Sequence, residues 1–226
     1  LKQVQTLTRA GMTFIATTTV RNIDQPFDGT AGNLPNDLSP ADNKLIEIDI
    51  TCITCTNFRP LVLTSWIGPK DLEGSTTNGS LFIQAIDSNG LAVSGAIVDI
   101  TATSTLPAVS VSDITATSGL LQLVDAPPAN QGYQITVSKS GYSTEQTYAN
   151  TSTTTNPVKP NATIIAQTVT QLTFAIDRTA TLNFSSVSPS CGVVPNVNMH
   201  MYGTKIISTV PDVLKYDKWM KTSAGG

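Results

Sequence analysis

Three groups of residues in this chain are of types and spacings that could do chemistry. Cys52-Ile53-Thr54-Cys55 sets two thiols three residues apart, a spacing open to a structural disulfide, a redox pair or half of a zinc site. A redox pair wants the motif at the start of a helix, whose dipole lowers the thiol pKa. Here the motif closes an alternating stretch at a turn, so a disulfide between Cys52 and Cys55 is expected. Adding Cys191 and His200 would complete a tetrahedral zinc set of three cysteines and one histidine. Those two residues lie far along the chain, and His200 alternates with Met199 and Met201 as an ordinary strand residue. The second group is acidic. Asp24, Asp28, Asn36, Asp37 and Asp42 offer the oxygen ligands that calcium takes, with Asp28, Asp37 and Asp42 as the expected ligands. The rival is a solvated turn, because Asp and Asn are good turn formers and no D-x-D-x-D-G spacing is present. The third group is catalytic, and it is thin. The chain has a single histidine and no G-x-S-x-G, H-E-x-x-H or P-loop, so no catalytic residue, no bound cofactor and no enzymatic activity are expected.

The elements that must position these residues follow from composition. The 226 residues carry 13 Lys+Arg against 16 Asp+Glu, a net charge of -3, and only 13% are charged, about half the usual share. Threonine, 34 residues by direct count, supplies much of the missing polarity. A β-branched, uncharged composition with 13 Pro and 15 Gly suits strand faces and the turns between them. Nucleic acid is excluded as a partner, because phosphate binding needs clustered Lys and Arg. No run approaches 18 apolar residues, so no membrane-spanning helix is read in this stretch. Leu1 in place of Met and Gly225-Gly226 at the end suggest cut or processed ends, with any leader or anchor lying outside them.

Residues 1 to 67 read as four strands. Lys2 to Arg9 and Met12 to Val20 are Thr-rich runs separated by Ala10-Gly11, a short-turn signal. Helical spacing of Leu1, Val4 and Leu7 is the rival, and the Thr17-Thr18-Thr19-Val20 run favours strand. The stretch 24 to 43 is dense in Asp, Asn, Gly and Pro and is a loop. Lys44 to Cys52 alternates, with Ile46, Ile48 and Ile50 on one face, and Pro60 to Ile67 returns. The stretch RAGMTFIATTTVRNIDQPFDGTAGNLPNDLSPADNKLIEIDITCITC resembles the β-region of prepilin-type proteins, the minor pilins and pseudopilins of type IV pili and type II secretion. The resemblance implies a long N-terminal hydrophobic helix packed before a small antiparallel sheet. The Gly-Phe-Thr-Leu-Ile-Glu start of that helix is not in this chain.

After a linker at 68 to 79, residues 80 to 177 read as about seven short strands in an immunoglobulin-like Greek-key sandwich. Ser88-Asn89-Gly90 is a turn, Ala96, Val98 and Ile100 give an inward face, and Tyr133, Ile135 and Val137 alternate, as do Leu172, Phe174 and Ile176. The signals IDSNGLAVSGAIVDI and TATSGLLQLVDAPPANQGYQITVSKSGYS resemble a carboxypeptidase regulatory-like domain, a non-catalytic relative of the transthyretin-like and collagen-binding B-type sandwiches. Those B-type relatives often carry a Lys-to-Asn isopeptide bond from the first strand. That strand here holds Gln84 and no Lys, so no such crosslink is expected. The stretch 143 to 162 reads as a surface loop, with Tyr142 and Tyr148 placed to touch a ligand if one binds.

Residues 178 to 226 read as the first half of a second sandwich, with strands at 181 to 184 and 196 to 203. Its open edges would be met by further chain or by a strand from another subunit. Trp66 and Trp219 are expected as core or interface anchors, and four N-x-S/T sequences, at Asn78, Asn150, Asn161 and Asn183, follow from the high Thr content. The whole is thus expected to be all-β: a small pilin-like sheet, a sandwich and the start of a second. The resemblances imply a non-enzymatic subunit of an extracellular, prokaryotic pilus or pilus-like filament. Its partners would be copies of itself, other pilins, a surface ligand or a host-cell receptor, with membrane contact only through an N-terminal helix. The alternative is a secreted or surface-anchored monomeric binding module, for instance for carbohydrate.

Overall fold

The computed structural model describes residues 2–68 and 77–225, so most of the linker expected at 68 to 79 lies outside the described residues. All regular structure among them is strand, and no helix is long and apolar enough to cross a membrane. Four strands, β1 (Lys2–Arg9), β2 (Met12–Ile23), β3 (Asn43–Cys52) and β4 (Leu61–Ile67), form an antiparallel meander in chain order. The β1–β2 turn is two residues long. Ala10 and Gly11 both have positive φ, 51° and 76°, the geometry that matches the twist of the flanking strands.

Directly opposed residues of an antiparallel pair share a face. The register sets Phe14 beside Leu7 and Cys52, Ala16 beside Ile50, Ile50 beside Leu61, Ile48 beside Leu63, and Val20 beside Ile46. This sheet therefore has one predominantly apolar face. Its other face is mixed, with Thr17, Thr19, Arg21, Glu47, Asp49 and Thr64 among Val4, Ile15, Leu45, Val62 and Trp66.

Eight strands follow: β5 (Gly79–Ile86), β6 (Ile97–Ala102), β7 (Val109–Ile114), β8 (Leu120–Ala126), β9 (Ala129–Ser138), β10 (Glu145–Gln146), β11 (Ala162–Ile164) and β12 (Val169–Ala175). They make two layers. One runs β10-β9-β6-β7 with β11 also on β9, and the other runs β12-β5-β8, with β12 parallel to β5. The alternation of β6 is complete: Val98, Ile100 and Ala102 are buried while Ile97, Asp99 and Thr101 are exposed. Leu81, Ile83, Tyr133, Ile135, Val137, Phe174 and Ile176 complete the core between the layers. The Tyr133 hydroxyl donates to the Pro127 carbonyl at 2.6 Å, and burial pushes its pKa up to about 12.

Residues 178 onward depart from the expected half-sandwich. No strand forms at 181 to 184, where Leu182 and Phe184 alternate correctly but meet no partner strand among the described residues. Instead β13 (Asn198–Tyr202) pairs with β16 (Asp217–Lys221), and β14 (Ile206–Ser208) pairs with β15 (Val213–Leu214). The stretch 143 to 162 is also more than a loop. It contributes β10 to the sandwich, and Pro157 bridges to Ser208 while the Val158 N–H donates to the Ile207 carbonyl at 3.0 Å.

Tyr133→Phe leaves the Pro127 carbonyl without its buried donor, so we expect a loss of about 1–3 kcal/mol in urea unfolding, with the β-sheet circular dichroism unchanged below the transition.

Candidate functional site

The loop between β2 and β3 folds back on itself. Gly29 makes this possible: its φ is +131°, and a Cβ there would lie 2.5 Å from the Pro35 carbonyl oxygen, so no other residue fits that approach. The turn is closed by Thr30, whose N–H donates to the Pro35 carbonyl at 3.3 Å and whose carbonyl accepts from Asn33 and Asp37. The fold brings Asp24, Asp37 and Asp42 together, with one carboxylate oxygen of each within 4.8 Å of one from each of the others. Asp28, expected in that set, is exposed and outside it, and Asp24 takes its place.

Each of the three carboxylates uses one oxygen to hold the loop. Asp24 Oδ2 accepts from the Ala31 N–H at 2.9 Å, Asp37 Oδ1 from the Ser39 N–H at 2.7 Å, and Asp42 Oδ2 from the Gln25 N–H. The second oxygen of each, Asp24 Oδ1, Asp37 Oδ2 and Asp42 Oδ1, is shut away from solvent with no hydrogen-bond partner. Burial pushes the Asp24 carboxyl above its ordinary range. The negative charges of Asp37, Asp42 and Asp28 act the same way, and the Ala31 N–H opposes them. Carboxylate oxygens are of the hard-donor type that divalent cations take.

The loop also touches the sandwich. Ala31, Asn36, Asp37, Leu38 and Pro40 line one side of a narrow cleft whose other side is Asn78, Gly79, Ser80, Gln167, Thr168 and Val169. Arg21, on the mixed face of the first sheet, pairs with Asp113 of β7 at 3.1 Å and with Glu47 at 3.5 Å.

The apolar face of the first sheet is left open. Leu63, Leu61 and Ile67 on the edge strand β4 and Leu7 on the other edge are about half exposed, while Ile46, Ile48 and Ile50 on β3 between them are half-buried. Phe58 covers one end, edge-on to Phe14 at 5.7 Å. Trp66 and Trp219, expected as core or interface anchors, lie at the surface, 56% and 72% exposed. Trp219 stacks on His200 at 4.2 Å with the rings 3° from parallel, Tyr202 lies 5.1 Å from His200, and Asp217 Oδ1 is 2.5 Å from His200 Nε2.

Cys52 and Cys55 are joined by a disulfide, and Cys191 is free and exposed. Tyr148 has its pKa raised, first by burial and then by the charge of Glu145. The main feature the sequence reading missed is Glu145 itself. This buried carboxylate receives both Lys205 and Lys215, the latter at 2.9 Å, from the β14–β15 region. Burial alone would raise its pKa, but the hydrogen bonds and charges of the two lysines outweigh it and hold the carboxyl below its ordinary value of 4.5. Nearby, burial lowers the pKa of Lys159, which sits 4.3 Å over the Phe174 ring and donates to the Thr173 carbonyl at 2.5 Å. With partners 60 and 70 residues away, no local sequence pattern marks Glu145.

No family model matches this chain, and no curated protein matches it. Solved structures with some likeness include a group B streptococcus pilus 2b backbone protein (TM-score 0.30, 10% identity, covering 62% of this chain and 50% of that one). The Bacillus anthracis TIE protein gives TM-score 0.33 and 12% identity, over 100% of this chain and 49% of that one. A streptococcal ancillary pilin gives TM-score 0.32 and 9% identity, over 81% and 61%. The chain thus spans between about half and three fifths of the length of these proteins. Likeness this distant sets no family for the chain, whose all-β architecture stands on its own strands.

Glu145→Gln removes the charge that both lysines share, and we expect a loss of about 1.5–3 kcal/mol at pH 7. Because the folded pKa is depressed, the native carboxylate stabilises the fold above the unfolded value and loses that contribution as pH falls through the folded value. The stability gap between wild type and variant, followed by urea unfolding, should therefore shrink as the pH drops below 4.5.

Proposed function

We propose that this chain is a non-enzymatic structural subunit of an extracellular pilus-like appendage, assembling through the apolar face of its first sheet. The observation that carries the reading is that uncovered face. A sheet with one apolar side must bury it against another layer, and a contiguous exposed apolar patch marks an interaction surface. The sandwich does not cover it, because Arg21, which pairs with Asp113, stands on the opposite face. An apolar helix or the same face of a second subunit fits it, and the prepilin-type resemblance supports the helix. We read the chain as a sheet (1–67), a linker (68–79), a sandwich (80–177) and a last segment of two short strand pairs (178–226). The Cys52–Cys55 disulfide fits an oxidising exterior.

A second reading, a surface-anchored monomeric module that binds a ligand such as carbohydrate, is favoured by one observation. Trp219, His200 and Tyr202 present exposed, mutually packed rings beside an open cleft of about 490 Å³ lined in part by Phe184, Met199 and Met220, and such rings stack on flat apolar faces of ligands.

The assembly reading predicts self-association in sedimentation velocity. Leu61→Asp with Leu63→Asp should return the chain to a monomer, while Thr64→Asp on the opposite face should change nothing. A wild-type chain that stays monomeric at high concentration and leaves an added apolar helical peptide unbound overturns it.

A further inference from the structure

Both edges of the first sheet are open, and their backbone and side-chain patterns match each other. We propose that β4 of one copy pairs antiparallel with β1 of the next, Leu63 opposite Leu7, so that the sheet runs on from subunit to subunit. The inference rests on the assembly reading in taking a second copy of this chain as the partner, and it adds the sheet's edge to its face.

The backbone sets the pairing. The Ile53 N–H donates to the Thr13 carbonyl at 2.9 Å, and β1 to β4 follow a one-to-one register with no bulge. In an antiparallel sheet the hydrogen-bonding direction alternates from residue to residue. Odd-numbered residues of β2 therefore turn their backbone groups to β3, and even-numbered ones turn theirs to β1. Carried across the register, this leaves the N–H and C=O groups of Val4, Thr6 and Thr8 on β1 and of Val62, Thr64 and Trp66 on β4 pointing outward. The side chains of all six lie on the same, mixed face of the sheet. Because the meander has four strands, β1 and β4 also run in opposite directions. A copy set beside the first in the same orientation thus continues the antiparallel ladder, with the apolar faces of both copies on one side.

Length and side chains fix the register. β4 has seven residues and β1 has eight. Of the registers that keep like faces together, Leu63 opposite Leu7 alone pairs all of Leu61–Ile67 within Lys2–Arg9. It also sets Thr64 opposite Thr6 and Trp66 opposite Val4, and cross-strand threonine pairs and aromatic pairs with β-branched residues stabilise adjacent strands. Val4, Leu7, Leu63 and Trp66, each about half exposed, lose solvent contact together. The usual defences of an edge strand are missing: β4 has no charge and no proline, and the only charges of β1, Lys2 and Arg9, sit at its ends. Pairing β1 with β1 would set Arg9 of each copy against the Lys2 end of the other, and pairing β4 with β4 would leave β1 open. Joining one edge to the other uses both and leaves a free edge at each end of the row, the open-ended contact of a filament.

Engineered cysteines in the intact chain, in a Cys191→Ser background, read the register directly. In the proposed pairing Gln5 and Ser65 face each other as a non-hydrogen-bonded pair with Cα atoms about 4.5 Å apart, within reach of a disulfide. A Gln5→Cys chain mixed with a Ser65→Cys chain should give a disulfide-linked heterodimer under mild oxidation. Gln5→Cys with Thr64→Cys, whose side chains point to opposite faces, should not. One chain carrying both Gln5→Cys and Ser65→Cys should give a ladder of covalent multimers, since within a chain the two positions are three strand spacings, about 14 Å, apart and cannot bridge. Adding Thr6→Pro and Thr64→Pro to that chain removes an outward N–H from each edge and no hydrogen bond to β2 or β3, so the ladder should vanish while the β-sheet circular dichroism stays. Thr64→Asp, facing a strand with no acidic residue, should leave the ladder in place. Homodimers of either single variant forming in preference to the heterodimer, equal crosslinking of the Thr64→Cys control, or a ladder that survives both prolines overturns the edge pairing. Self-association in sedimentation velocity without the heterodimer or the ladder overturns the edge and leaves the apolar-face reading standing. A chain that neither crosslinks nor self-associates overturns both.

Discussion

A β-sheet with one apolar side cannot stand alone, and the rest of this structure follows from how each sheet meets that constraint. In the sandwich the two layers bury each other's apolar faces, so Ile83, Ile100, Ile135 and Phe174 are fully enclosed. Among the described residues this is the hydrophobic core, with Leu121, Leu123 and Leu172 packed partly buried against it. The first sheet has no such second layer among the described residues. Its isoleucines on β3 are only half-buried, and both outer strands, β1 and β4, are exposed along their whole length. The same constraint thus yields a self-sufficient unit in one place and a surface that needs a partner in the other.

The contacts that tie the units together are largely polar. Between sheet and sandwich they are the Arg21–Asp113 pair and the acidic loop. Between sandwich and the last segment they are Glu145 with its two lysines and the hydrogen bonds of Asn156 to Ser208 and Thr209. Buried charges are costly unless paired, which makes these junctions selective: they form in one arrangement or lose their compensation. The sandwich supplies the rigid frame, and the loops that leave it carry the specificity of how its neighbours are held.

Much of the fold was legible in the sequence because strand alternation has period two and short turns have strong residue preferences. Ala96, Val98 and Ile100, the Ala10-Gly11 turn and the run of isoleucines on β3 all read directly. The misreadings share one cause. Leu182 and Phe184 alternate as a strand should, but a strand exists only where another pairs with it. The 143 to 162 stretch has loop composition, yet its Glu145 is buried because two lysines far along the chain reach it. Asp28 and Asp24 are indistinguishable by type. Which of them faces Asp37 and Asp42 depends on how the chain turns at Gly29.

The sequence by itself determined the all-β class, the strand positions of the first sheet and most of those of the sandwich, and which residues are able to bind a hard cation or form a short disulfide. These are properties of local chemistry, set by side-chain type, alternation and turn preference within a few residues. Only the tertiary structure decided that three particular aspartates converge, that one face of the first sheet is left uncovered, and that one buried glutamate takes two lysines of the last segment. Those outcomes depend on contacts between residues many positions apart, and on which polar groups lose water without gaining a partner, which no local pattern encodes.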